Sequence, residues 1–154
     1  MDELDSEIIR LLQTDARQSN REIARKLGVA PSTCLERVRT LTRRGVIRGY
    51  HASIDPVALN RETQALVAVQ LRQHSRPSYE RFREVVGGWQ EVLSLFVVSG
   101  DHDITLHVAV QNADRLHSFL TDRLATCPEV ARFQTSVIFK QMHNPVRGQL
   151  PATP

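Results

Sequence analysis

Apolar residues at Leu4, Ile8, Leu11 and Leu12 recur at helical spacing, with Asp5 and Glu7 in the favourable first turn, and predict a helix over roughly 5–15. Ser19 and Glu22 are spaced as a capping box, in which the serine side chain caps a free amide and the glutamate reaches back. Behind it, Ile23, Ala24 and Leu27 form the buried stripe of a short second helix that Gly28 stops. Pro31 suits the first position of a third helix, whose stripe is Leu35, Val38 and Leu41 and whose end is Gly45. Two helices joined by a tight Gly28–Ala30 turn, behind a supporting helix, predict a helix-turn-helix of the winged-helix kind. Val46–Ile54 alternates well enough for a strand, closed by Asp55 and Pro56.

The pattern then changes. Strands are expected over 65–71, 92–99, 103–110 and 130–141, and helices over 77–86 and 113–125. The order β-α-β-β-α-β is the ferredoxin-like unit, one antiparallel sheet with both helices on one face. The fold class is therefore α+β. Residues 1–50 form the helix-turn-helix domain, 51–64 a strand and hinge, 65–142 the ferredoxin-like domain, and 143–154 a flexible tail. One sheet face is left open, yet Val92, Phe96 and Val98 alternate with Leu93, Leu95 and Val97, so that strand is apolar on both faces. A second copy of the same sheet is the economical cover, and a homodimer follows. Two copies also give a helix-turn-helix protein two reading heads.

Charge sharpens the first domain. The 154 residues carry a net +3, but between Arg17 and Arg48 nine basic residues face two acidic ones, a local +7. From Arg61 onward ten basic and nine acidic residues nearly cancel. A basic patch confined to one end fits double-stranded DNA. On a helical wheel Ser32, Thr33, Glu36, Thr40 and Arg43 lie opposite the third helix's stripe, with Arg37 and Arg44 on the flank. Small residues first let the helix end approach base edges, so Ser32, Thr33, Glu36 and Arg37, then Thr40 and Arg43, are the expected base readers. Arg21, Arg25, Arg44 and Arg48 are the expected phosphate contacts. Cys34, on the inner side, reads as a small buried apolar residue.

With 41% hydrophobic and 24% charged residues, the composition is that of a globular domain. No apolar run approaches the ~20 residues of a membrane span, and the acidic MDELDSE start is unlike a signal peptide. Cys34 and Cys127 are too few for a disulfide framework, which fits the cytoplasm. No GxSxG, HExxH or P-loop marks an enzyme, and no cofactor is expected.

The stretch VVSGDHDITLHV (97–108) sets Asp101, His102, Asp103 and His107 close together. Metal ligands, an acid/base pair and a polar hairpin turn are all open readings. Transition-metal sites usually add cysteine or further histidine at defined spacing, and none is evident here. Strand alternation makes Gly100–Asp103 the turn of a hairpin and puts His107 on the sheet-to-sheet face.

LDSEIIRLLQTDAR, REIARKLGVAPSTCLERVRTLTRRGVIRGY and VVSGDHDITLHV together resemble the Lrp/AsnC, or feast/famine, family of transcriptional regulators, over essentially the whole chain except the tail. The resemblance implies a DNA-binding regulator that responds to a small effector, usually an amino acid. It further implies dimers that commonly assemble into octamers. The family's glycine-aspartate-x-aspartate turn matches Gly100, Asp101 and Asp103, and in the family this loop contributes to an effector pocket where dimers meet. With His102, these are the expected effector residues; Ser94, Phe96 and Thr135 are candidates for the wall. The sequence departs from the family at Ala30, where serine is frequent, at His102, where a large residue often stands, and at Gly88–Glu91, where a proline–glutamate pair is common. An amino-acid-sensing module that never touches DNA, and a metal-responsive regulator, are the alternatives.

Overall fold

In the computed structural model the described residues are 1–142, 144, 146 and 148; most of the expected tail, 143–154, lies outside them. The chain divides into two compact units, one built on Met1–Ala52 and the other on Ser53–Gln141.

In the first unit, α1 (Glu3–Thr14) starts at Asp2, whose side chain accepts the Asp5 amide. The capping box forms as expected: Ser19 Oγ accepts from the Glu22 amide, and Glu22 accepts from the Ser19 amide at 2.7 Å. It opens α2 (Asn20–Leu27). Gly28 ends α2 in the left-handed region at φ 66°, a conformation that costs a side chain but not glycine. Then α3 (Pro31–Arg43) begins on its proline. Ile8, Leu11, Ile23, Ala24, Cys34 and Leu41 make the buried core. Cys34 is fully buried there, and burial pushes its thiol pKa up.

The strand expected over Val46–Ile54 does not form. The amides of Val46 and Ile47 fold back onto the Leu41 carbonyl at 2.9 and 3.2 Å, and residues 48–54 belong to no strand or helix. A strand needs a ladder partner, and the chain offers none to this segment.

The second unit runs β1 (Thr63–Leu71), α4 (Arg76–Gly87), β2 (Val92–Val97), β3 (Ile104–Val110), α5 (Ala113–Ser118) and β4 (Val130–Val137). The sheet order is β2-β3-β1-β4, all neighbours antiparallel, which is the expected ferredoxin-like arrangement. Three elements end earlier than the periodicity suggested, β2 among them, which stops at Val97. The helix over 113–125 is α-helical only to Ser118 and continues as a π-helical segment, Phe119–Leu124. The last strand stops at Val137 and leaves Phe139 98% exposed.

Register decides which side each residue takes. Ala65, Val67 and Val69 pair with Val108, Leu106 and Ile104 and join Phe82, Val86 and Leu124 in the core on the helix side. The opposite face carries Leu66, Ala68 and Gln70 of β1, Thr105 and His107 of β3, Ser94 and Phe96 of β2, and Arg132 and Gln134 of β4. No helix covers it: Leu66 and Phe96 (52% accessible) are exposed there.

Candidate functional site

The outward side of α3 is polar and open. Ser32, Thr33, Glu36 and Arg43 are exposed and Thr40 is half-buried. Ala30 supplies no side-chain cap, and neither Ser32 nor Thr33 stands in for one, so the first amides of α3 face outward unclaimed by a side chain. Glu36 accepts from the Arg43 guanidinium at 3.1 Å, and the same guanidinium donates to Thr40 Oγ1 at 3.1 Å. Arg21, Arg25, Arg39, Arg44 and Arg48 are exposed and have no ion-pair partner among the described residues.

Arg37 departs from its expected place among the base readers. Its guanidinium turns back to α1, 2.5 Å from Asp2 Oδ2 and 3.2 Å from Asp5 Oδ1. Opposite charge on a neighbouring helix outcompetes the outward rotamer. The Asp5 amide, followed by Arg37, holds the Asp2 carboxyl below the usual carboxylate range.

The second site is the β2–β3 turn. Gly100 takes φ 138°, a region that side chains rarely adopt, and the Val98 amide closes onto the Asp103 carbonyl at 3.0 Å. The two aspartates diverge. Asp103 is committed inward: Oδ2 accepts from the Leu71 amide at 2.8 Å and Oδ1 lies 2.9 Å from His74 Nδ1. It borders a cavity of about 380 Å³ with Leu71, His74, Tyr79, Val97 and Val98. Asp101 has no hydrogen-bond or ion-pair partner among the described residues. With His102 it lines a different cavity of about 480 Å³, on the open sheet face, against Ala68, Gln70, Arg132 and Gln134. His102 Nε2 lies 2.8 Å from Thr105 Oγ1, and Arg132 Nε donates to Gln70 Oε1 at 2.5 Å.

Of the expected wall residues, Ser94 and Phe96 are on this open face, paired with His107 and Thr105. Thr135 is not. It pairs with Val67, on the helix side, where its hydroxyl is buried without a partner. Thr135 shares the parity of Phe133 and Val137 along β4, and the pairing register turns that parity away from the open face. Arg132, Gln70 and Gln134 were missed in the sequence, although polar residues alternating with Phe133 and Val137 marked that side of the strand. His107 Nε2 lies 2.9 Å from Gln64 Oε1 on the open face, and burial lowers its pKa. Asp103 and His107 therefore do not converge, and among the described residues no three His, Cys, Asp or Glu side chains form a metal-binding group.

Two family models match the chain: the AsnC-type helix-turn-helix domain over residues 1–42 and the Lrp/AsnC ligand binding domain over residues 64–146. The HTH-type transcriptional regulator AldR of Mycobacterium tuberculosis is 38% identical over 98% of this chain and 82% of its own length. The leucine-responsive regulatory protein of Escherichia coli is 32% identical over 92% of this chain and 87% of its own. Among solved structures, a transcriptional regulator from Neisseria meningitidis in complex with L-Met superposes with a TM-score of 0.88 at 29% identity, over 98% of this chain and 96% of that one. An AsnC family regulator from Agrobacterium tumefaciens gives 0.86 at 30% identity, over 98% and 97%.

Proposed function

The chain belongs to the Lrp/AsnC family of transcriptional regulators, and we propose that it presents α3 to the major groove while an amino acid at the Gly100–Asp103 turn adjusts its hold on DNA. It is a DNA-binding regulator of transcription; its relatives are regulators and not enzymes. A cytoplasmic location is consistent with its family of transcription regulators.

One observation carries the DNA reading: the outward face of α3 is open, and five exposed arginines around it have no ion-pair partner among the described residues. Ser32, Thr33 and Glu36 are near the helix end that reaches base edges, with Thr40 and Arg43 next along. Arg21, Arg25, Arg44 and Arg48 are placed to take phosphates, and Arg39 joins them.

The effector reading rests on the division between the two aspartates. The free Asp101 carboxylate suits an ammonium group, and Arg132 in the same cavity suits a carboxylate, the two charges of an α-amino acid. Amides around Gly100 add donors. Asp103 shapes the turn instead of meeting the ligand. A relative solved with L-Met and another named for its response to leucine support an amino acid in this role. A second copy on the open face, against Leu66 and Phe96, would bring this cavity to a boundary between subunits. An effector that binds one assembly better than another then shifts the population. Octamers would follow the same logic.

The test is a thermal-shift screen of the twenty amino acids, followed by mass and DNA-affinity measurements with the hit. A ligand that raises the melting temperature and shifts either mass or affinity supports this reading. No hit among the twenty, or a hit that shifts neither, contradicts it.

A further inference from the structure

We infer that Arg37 is a positioning residue, locked by Asp2 and Asp5 so that α1 sets the pose in which α3 meets DNA. The inference rests on the DNA-binding reading above and adds a device to it. Three observations converge. Arg37 Nη1 reaches carboxylates 35 and 32 residues away, both at the start of α1. Asp2 is at the same time the N-cap of α1, its other oxygen taking the Asp5 amide at 2.9 Å. The Asp5 side chain is only 7% exposed, and the cation beside it is the Arg37 guanidinium supplied by α3, 3.2 Å away.

The local electrostatics separate this guanidinium from its neighbours. One cation between two carboxylates leaves a net negative cluster, which repels phosphate, whereas Arg39 and Arg43 stand exposed on the open side of the same helix. Taking Arg37 away to DNA would also strand the buried Asp5, and an uncompensated buried charge is strongly unfavourable. The apolar cluster that contains Ile8, Cys34 and Leu41 holds the helices together but is non-directional. A charge-assisted hydrogen bond is directional and fixes rotation and register.

The experiment compares Arg37→Gln, Asp5→Asn, their double variant and Asp2→Asn in the full chain. Fluorescence anisotropy on operator and on unrelated duplex DNA, across a salt series, is the measurement, and circular dichroism establishes that each variant is folded. Each of Arg37→Gln and Asp5→Asn should weaken operator binding roughly ten-fold, the scale of coupling within one network, with the double no worse than the weaker single. Binding to unrelated DNA and the salt slope should stay unchanged. Asp2→Asn keeps the cap and loses one arm, so it should give a smaller loss even if the buried-site variants do not fold. Removing an acidic charge ordinarily strengthens binding to a polyanion. Tighter binding by Asp2→Asn or Asp5→Asn would overturn the inference. So would a salt slope reduced by about one in Arg37→Gln, the signature of a lost phosphate contact. If the unaltered chain binds neither DNA, the DNA-binding reading itself fails.

Discussion

The carboxylate of Asp103 accepts the backbone amide of Leu71 across two strands at 2.8 Å, while Asp101, two residues earlier in the same turn, bonds to nothing among the described residues. Two identical side chains in one motif thus do different work. Asp103→Ala leaves the Leu71 amide without its acceptor, and should cost about 1–3 kcal/mol. Asp101→Ala removes a solvent-facing group, and should stay within about 0.5 kcal/mol of the parent chain. Urea titration followed by circular dichroism measures both. Equal effects would contradict the division of roles.

The third helix starts without a side-chain cap because Ala30 stands at its N-cap. Ala30→Ser should therefore stabilise the first domain by roughly 0.5–2 kcal/mol. A raised denaturation midpoint in that domain is the expected result. No change would mean that the backbone at residue 30 cannot offer the hydroxyl to Ser32 or Thr33.

His107 is held partly buried against Gln64, and burial lowers its pKa below 6.5. The unfolded chain then binds more protons than the folded one as acid is added. This contribution to stability is complete above pH 6.5 and is lost as the pH falls through the lowered folded value. His107→Gln keeps a hydrogen-bonding side chain but cannot titrate, so its stability should fall less between pH 7.5 and 5.5. Chemical denaturation at the two pH values makes the comparison; identical slopes would count against it.

Burial, followed by the Glu129 side chain, pushes the Cys127 thiol up to about 11, and Sγ donates to Glu129 Oε2 at 3.3 Å. Thiolate is the reactive form, so at pH 8 almost none is available. Cys34, fully buried, is closed to reagents as well. Iodoacetamide should label neither cysteine in the folded chain and both in urea, as read by mass. Rapid labelling of the native protein would show an opening that the fold does not contain.

Local rules carried much of this structure in the sequence. The Ser19–Glu22 box, the Gly28 stop and the Pro31 start each depend on residues within four positions, and each formed as read. The antiparallel sheet followed from alternation. What could not be read locally was pairing. Thr135, a candidate for the pocket wall, falls on the helix side because register is set by β1, nearly seventy residues away. Val46–Ile54 has strand-forming residues but no strand beside it. Arg37 sits on the flank of a helical wheel, and only its contact with Asp2 and Asp5 shows which way it turns. In the turn, Gly100, Asp101, His102 and Asp103 were singled out together, but which aspartate was free depended on where the Leu71 amide came to lie.

The most direct test of the account uses Asp101→Ala beside the unaltered chain. Both are titrated onto operator DNA by fluorescence anisotropy, with and without the amino acid found by thermal shift, and their masses are recorded in each condition. The unaltered chain should change its DNA affinity by roughly 5–150-fold, or change its mass, when the amino acid is added. Asp101→Ala should match it without the amino acid and show neither change with it. A variant that keeps the full response would contradict the assignment of the turn as the effector site.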